Sequence, residues 1–221
     1  MKRKSGFIQP PHLPAPLPVQ PESRVALISG ELYTQQLWQN IGLDACEAEE
    51  LSFEQLIVRN VSFQQAELKL LQSIDCRFET CDFANASLEK AYMRRNEFTG
   101  CRMLGMKLMD TDLQDVSFAA CNAQLLRCWT SQLKAVRFEH CNFREASFDG
   151  TDLSGVVFYK CDLSQADLRN TKLKGTDLRG STITGMQVLG KDLAGVIIDP
   201  GQALEFIQLF GVTVRTEDAE H

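Results

Sequence analysis

The chain has 221 residues, a net charge of −6 and a pI near 5.2, which bounds it to one domain or one domain with tails. Hydrophobic residues make up 44% and charged residues 24%, as in a globular protein, and no apolar run approaches the roughly 18 residues of a membrane span. The opening MKRKSGFIQPPHLPAPLPVQPES is basic but lacks an apolar core, so no secretory signal is expected, and the eight cysteines are expected as reduced thiols in a cytoplasmic protein.

Six of the seven prolines fall between Pro10 and Pro21, so residues 1–23 are expected to form a flexible, extended tail with PxxP spacing. Residues 24–50 contain a short apolar stretch and are expected to form an N-terminal cap, with a helix over Tyr33 to Asn40.

From Phe53 to Ile198 every fifth residue is a centre, and of these thirty positions only Ser73, Ala123 and Cys128 are not large hydrophobes. Two residues before most centres comes a small or apolar side chain, with Asn96 and Lys191 as the main breaks. A period of five fits neither a helix nor an ordinary strand. It fits a chain that turns a corner every five residues, with two side chains in and three out, and with Gly at many corners, as at Gly150 and Gly155.

The segments ADLRN, TDLRG, TDLSG and CDLSQ resemble the A(D/N)Lxx signature of the pentapeptide-repeat family, and the likeness runs over residues 51–200 without an insertion. The resemblance implies an all-β solenoid, a right-handed quadrilateral β-helix with four pentapeptides per coil, here about seven and a half coils. Residues twenty apart would then stack, about 4.8 Å apart as in a β-sheet. Cys81, Cys101, Cys121, Cys141 and Cys161 become one inward column, and Phe78, Phe98, Phe118, Phe138 and Phe158 a second. A straight column of thiols does not converge on one point as zinc requires, so these cysteines are read as small packing residues and no metal is expected.

Residues 201–221 leave the repeat. Ala203, Phe206, Ile207 and Phe210 share one face of an expected short C-terminal α-helix, and Leu204 and Leu209 add further apolar surface. The ending GKDLAGVIIDPGQALEFIQLFGVTV resembles those of Qnr-type and MfpA-type proteins. That likeness implies a homodimer joined through this helix, with Ala203, Leu204, Phe206, Ile207, Leu209 and Phe210 as its interface, and a type II topoisomerase as partner of a DNA-mimicking rod.

Enzymatic chemistry has little to build on. His12, His140 and His221 are scattered, and no nucleophile and base fall together. Gly185 to Lys191 has phosphate-loop spacing, but Asp192 follows where Ser or Thr would hold magnesium, and the five-residue period supplies the glycines. No cofactor is expected. Over residues 51–200 there are 19 acidic and 18 basic residues, and none of the four sides is strongly negative. The side centred at Phe53 has 6 and 6, the phenylalanine side 5 and 5, the cysteine side 3 and 2, and the Leu68 side 5 and 5. Such a rod has the shape of a duplex without its field. The expectation is a non-enzymatic protein-interaction rod, a scaffold or regulator, contacting its partner through outward Trp129 and a patch at Asp110, Asp112 and Asp115, without direct nucleic acid or membrane contact. The alternative is protection of gyrase or topoisomerase IV from quinolones.

Overall fold

A computed structural model describes residues 8–19 and 26–215. They form a right-handed quadrilateral β-helix closed by one helix, Pro200–Leu209. The strands of the solenoid pair in parallel and join residues twenty apart, from Leu32↔Ser52 to Arg137↔Val157, and single bridges carry the register on to Asp177↔Ile197. The residue before each centre donates its N–H back one coil, as Ser52 does to Glu31 O (3.0 Å), while the centre donates forward, as Phe63 does to Asp82 O (2.7 Å). Two residues after each centre the backbone turns through the left-handed region, with φ of 50° at Ala45 and 61° at Asn170. That one residue per five is the corner.

The inward positions form columns. The rings of Phe78, Phe98, Phe118, Phe138 and Phe158 stack with centroids 4.6 to 4.9 Å apart. The cysteine column has a chemical logic beyond size. Cys81 Sγ donates to Val58 O (3.3 Å) and Cys161 Sγ to Phe138 O (3.5 Å), in each case the carbonyl 23 residues back. Thr151, Thr176 and Ser181 donate to the equivalent carbonyls of Cys128, Leu153 and Phe158, at 2.6, 2.7 and 3.0 Å. Where this inward position carries a donor, Cys, Ser and Thr make the same bond; elsewhere an apolar residue such as Ala86 or Val116 fills it. Among the described residues no group of His, Cys, Asp and Glu is arranged to hold a metal.

Two of the expected boundaries are corrected. The solenoid begins with Leu32–Thr34 and Leu37–Gln39, both strands, so Tyr33 to Asn40 is not a helix and residues 31–50 are a full coil. Its centres Tyr33, Trp38, Leu43 and Ala48 keep the five-residue register, while Glu31 and Gln36 break the second inward series in this end layer, which has a full coil on one side only. The proline-rich segment is also not a free tail over residues 8–19: it lies along the solenoid. Leu37 N–H donates to Pro18 O (2.9 Å), His12 N–H to Asp75 Oδ1 (2.9 Å) and Gln55 Nε2 to His12 O (3.0 Å).

At the other end the Lys191 break ends the ladder on the Phe53 side, where Gly190–Leu193 forms a 3₁₀ turn with no buried residue. Asp199 then caps the final helix. Its carboxylate accepts from Gln202 N–H (3.0 Å) and from Gly180 N–H (3.0 Å). Gln202 Nε2 donates to Leu178 O and Ser181 O (2.6 and 2.7 Å); Leu178 O also accepts the Ser181 N–H (3.1 Å), while Ser181 O belongs to the last complete coil and has no further coil to pair with. The helix thereby satisfies the open end of the sheet.

Candidate functional site

The solenoid exposes ladders of outward side chains, so candidate sites are surfaces. Their charges are organised in pairs between adjacent coils: Arg59–Glu79 (2.7 Å), Arg77–Glu97 (2.8 Å), Arg95–Asp75 (2.6 Å), Arg102–Asp82 (2.9 Å) and Lys172–Asp152 (3.5 Å). Arg169–Asp167 and Arg179–Asp177 pair within a coil (2.6 and 2.7 Å). Each of these acids thus meets a base within about 3.5 Å, and the field of the paired charges cancels over a few ångströms.

Trp129 sits on the outward ladder of the Leu68 side. Its indole N–H donates to Ser147 Oγ (2.9 Å), and the Arg127 guanidinium lies 5.5 Å from the ring. Trp129 lines an open groove of about 600 Å³, shared with Ser147, Asp149, Asp167, Arg169, Asn170 and Leu189. Asn170 Nδ2 donates to Asp149 Oδ1 (2.9 Å), which fixes the groove wall. Behind this segment the undersized centres leave an enclosed apolar cavity of about 10 Å³, lined by Ala123, Cys128 and their neighbours Met103, Leu108, Phe143 and Phe148.

Asp110, Asp112 and Asp115 are not brought together as one exposed patch. Asp112 points outward on the Phe53 side, and Asp110 occupies the corner before it, bound by the Thr130 hydroxyl. Asp115, at the next corner, is fully buried. The corner turns each side chain by position in the pentapeptide, so acids two or three residues apart face different ways.

Asp115 belongs to a group that sequence reasoning missed. The corner between the Phe53 and phenylalanine sides stacks Gln35, Gln55, Asp75, Arg95 and Asp115. Arg95 binds Asp75 through two hydrogen bonds of 2.6 Å, and Gln35 Nε2 donates to Gln55 Oε1 (2.9 Å). Burial pushes the Asp75 carboxyl up, but Arg95 and the His12 N–H outweigh it and hold it below the usual carboxylate range. The arm of residues 8–19 rests on this corner. The signal available in the sequence was the interval of twenty: Asp75, Arg95 and Asp115 alternate in sign along it.

The six helix residues divide. Phe206 is buried against its own solenoid, Leu209 packs partly on the same core and Ala203 is half-buried, while Leu204, Ile207 and Phe210 are exposed together with Val212 and Val214. Phe206 is thus part of the chain's own cap. Gln202, seeking the open carbonyls, turns the helix so that Phe206 follows it inward.

A family model described as a pentapeptide repeat region matches residues 71–139 and 131–205, more than half of the chain. None of the curated proteins is a significant match. Among solved structures, a trypsin-treated variant of QnrB1, a plasmid-mediated fluoroquinolone resistance protein, aligns over 90% of this chain and 100% of its own, at 18% identity and a TM-score of 0.58. HetL, involved in heterocyst differentiation regulation in Nostoc sp. strain PCC 7120, aligns over 78% of this chain and 91% of its own, at 18% identity and a TM-score of 0.43. At such identities the likeness to QnrB1 is one of fold. The five-residue register, the twenty-residue pairing and the family match agree: the chain belongs to the pentapeptide-repeat family.

Proposed function

We propose that this protein is a non-enzymatic interaction rod that engages a protein partner through the Trp129 groove and pairs with a second copy through its C-terminal helix. The observation that carries the reading is the state of Trp129: a large aromatic ring fixed by Ser147 and Arg127 at the edge of an open groove with exposed Leu189. A rigid aromatic anchor costs little ordering entropy on association, and residues of this type dominate interface energies. Leu204, Ile207 and Phe210 supply a second apolar surface, at the end of the rod. Replacing Met109, one coil from Trp129, by a photo-crosslinking amino acid in cells of the source organism tests the groove. One dominant protein adduct, lost on Trp129→Ala, is expected; adducts insensitive to Trp129 would sink the reading.

A second reading, binding of a type II topoisomerase, is favoured by the fold likeness to trypsin-treated QnrB1 over 90% of this chain and opposed by the inter-coil charge pairing. It is tested by gyrase supercoiling in the presence of ciprofloxacin, titrating the native chain and a Leu204→Asp, Phe210→Asp variant. Protection that disappears with the monomeric variant supports it; no change at any concentration removes it for that enzyme.

A further inference from the structure

We propose that the corner between the Phe53 and phenylalanine sides is a binding site for polyproline II peptides, occupied in cis by residues 8–19 and open to a proline-rich segment of a partner protein once that arm lifts. From Ile8 to Pro14, ahead of the cis Ala15–Pro16 bond, every third residue of the arm is half-buried. Ile8, Pro11, Pro14 and Leu17 are half-buried against the solenoid, with Gln9 and Leu13 beside them, while Pro10, His12, Ala15, Pro16 and Pro18 are exposed. Three residues per turn is the repeat of polyproline II.

The pitch also matches. Gln9 N–H reaches Asp115 Oδ1 (3.4 Å) and His12 N–H reaches Asp75 Oδ1 (2.9 Å). The two donors are three residues apart, about 9.3 Å in polyproline II. The two acceptors are two coils apart, about 9.6 Å at β-strand spacing. The solenoid therefore presents acceptors at the interval at which this helix presents N–H groups from one edge. Prolines carry no N–H, so the corner needs bonds only from the residues between them. Gln55 adds a donor for the His12 carbonyl (3.0 Å).

The site is preorganised without the arm. Arg95 fixes the Asp75 carboxylate through two 2.6 Å bonds that come from the corner stack itself. The arm is held weakly by comparison. None of its described residues is fully buried, and its bond to Asp115 is long. Segments with few buried contacts open at low free energy. A tethered ligand also competes at an effective concentration of about millimolar, so the arm sets a threshold that a partner's peptide must exceed. The matching partner is an extended segment with proline or an aliphatic residue at every third position and a free N–H between them. This surface is separate from the Trp129 groove, and the proposal stands or falls apart from it.

The test uses the full-length chain and a fluorescein-labelled peptide, IQPPHLPAPLPV. In an Ile8→Asp, His12→Pro, Leu17→Asp variant the arm loses its inward side chains and the N–H given to Asp75. Hydrogen exchange should show the arm amides released, and the peptide should bind this variant at least tenfold more tightly than the native chain. Adding Gln55→Gly and Asp115→Asn should abolish that gain while circular dichroism shows the β-helix intact, and a peptide of scrambled order should not bind. The proposal is overturned if the released chain takes up no peptide at millimolar concentration, or if binding ignores Gln55 and Asp115. It also fails if the arm amides stay protected in the variant, or if light scattering shows arms exchanged between two copies of the chain in place of a separate ligand.

Discussion

Asn96 donates from Nδ2 to the Ser73 hydroxyl at 2.8 Å and to the Ser73 carbonyl at 3.1 Å, inside the core. These are two of the residues that interrupt the inward hydrophobic series, and each is the other's partner. Asn96 Oδ1 also accepts the Cys76 N–H (2.9 Å). The interruption is therefore a satisfied polar cluster. Replacing Ser73 by Ala, or Asn96 by Val, strips a buried partner and should cost about 1–3 kcal/mol each, whereas removing both should cost less than the sum. Urea unfolding of the four proteins of this cycle measures the coupling. Additive losses would show that the two residues act independently.

The undersized centres Ala123 and Cys128 leave the core cavity of about 10 Å³ behind Trp129. Its lining is apolar, too poor in partners to hold a water well. Ala123→Val should fill part of it and raise stability by about 1 kcal/mol, the return for one or two buried methyl groups. The same change at Ala166, an equally small inward residue away from this cavity, should overpack and destabilise by about 1–3 kcal/mol. Thermal melts of both variants check the contrast, and a loss at Ala123 equal to that at Ala166 would mean the void is not usable space.

What was legible in the sequence was whatever repeats. The centres from Phe53 onward, the phenylalanine and cysteine columns and the thin core at Ala123 and Cys128 all follow from counting in fives and twenties. What was not legible depends on contacts outside the period. Glu31 and Gln36 break the second inward series in the first coil, although Tyr33, Trp38, Leu43 and Ala48 carry its centres on in register. The docked arm was invisible because Gln9 and His12 find their partners in Asp115 and Asp75, more than 60 residues away in the chain. On the final helix an apolar count assigned Phe206 to a partner, while the Leu178 and Ser181 carbonyls at the end of the last coil drew Gln202, and Phe206 with it, toward the solenoid.

Ala120 sits at a corner with φ of 53° and is exposed. A residue with a Cβ is strained in this region by roughly 1–2 kcal/mol, and glycine is not. Ala120→Gly should therefore raise stability by about 0.5–1 kcal/mol, the reverse of what the change does in a strand or helix. A lowered melting temperature would show that the corner backbone is held by forces that outweigh this strain.

Seven of the eight cysteines are buried, and Cys46 is half-exposed. Burial pushes the Cys76 and Cys128 thiols up to about 11. In the native state at pH 8, Ellman's reagent should titrate about one thiol, at Cys46, and all eight only on unfolding. The same burial sets an alkaline limit. An unfolded thiol ionises near pH 8.5, while the buried ones stay neutral until about 11. Their contribution is intact below pH 8.5 and is lost as pH rises through this window, at roughly 3 kcal/mol for each of the two when fully developed. Urea midpoints should fall steeply between pH 9 and 11, and Cys76→Ala, Cys128→Ala should flatten that fall. An unchanged slope would place the alkaline loss elsewhere.

The acid limit has the opposite sign and lies at the C-terminal cap. The Gly180 N–H, then the Gln202 N–H, hold the Asp199 carboxyl below its usual range. Asp177 and Asp167 are lowered in turn by the guanidiniums of Arg179 and Arg169. A depressed carboxyl contributes stability that is present above its unfolded value near pH 4 and disappears as pH falls through the folded value. Because Asp199 also ties the helix to the last coil, acid should release the helix before the solenoid. Hydrogen exchange at pH 3 should therefore show Phe206 and Leu209 amides opening while the amides of Phe118 and Phe138 stay protected. Asp199→Asn should bring that local opening to neutral pH. If all four amides open together under acid, the cap is not a separate unit and the solenoid unfolds as one.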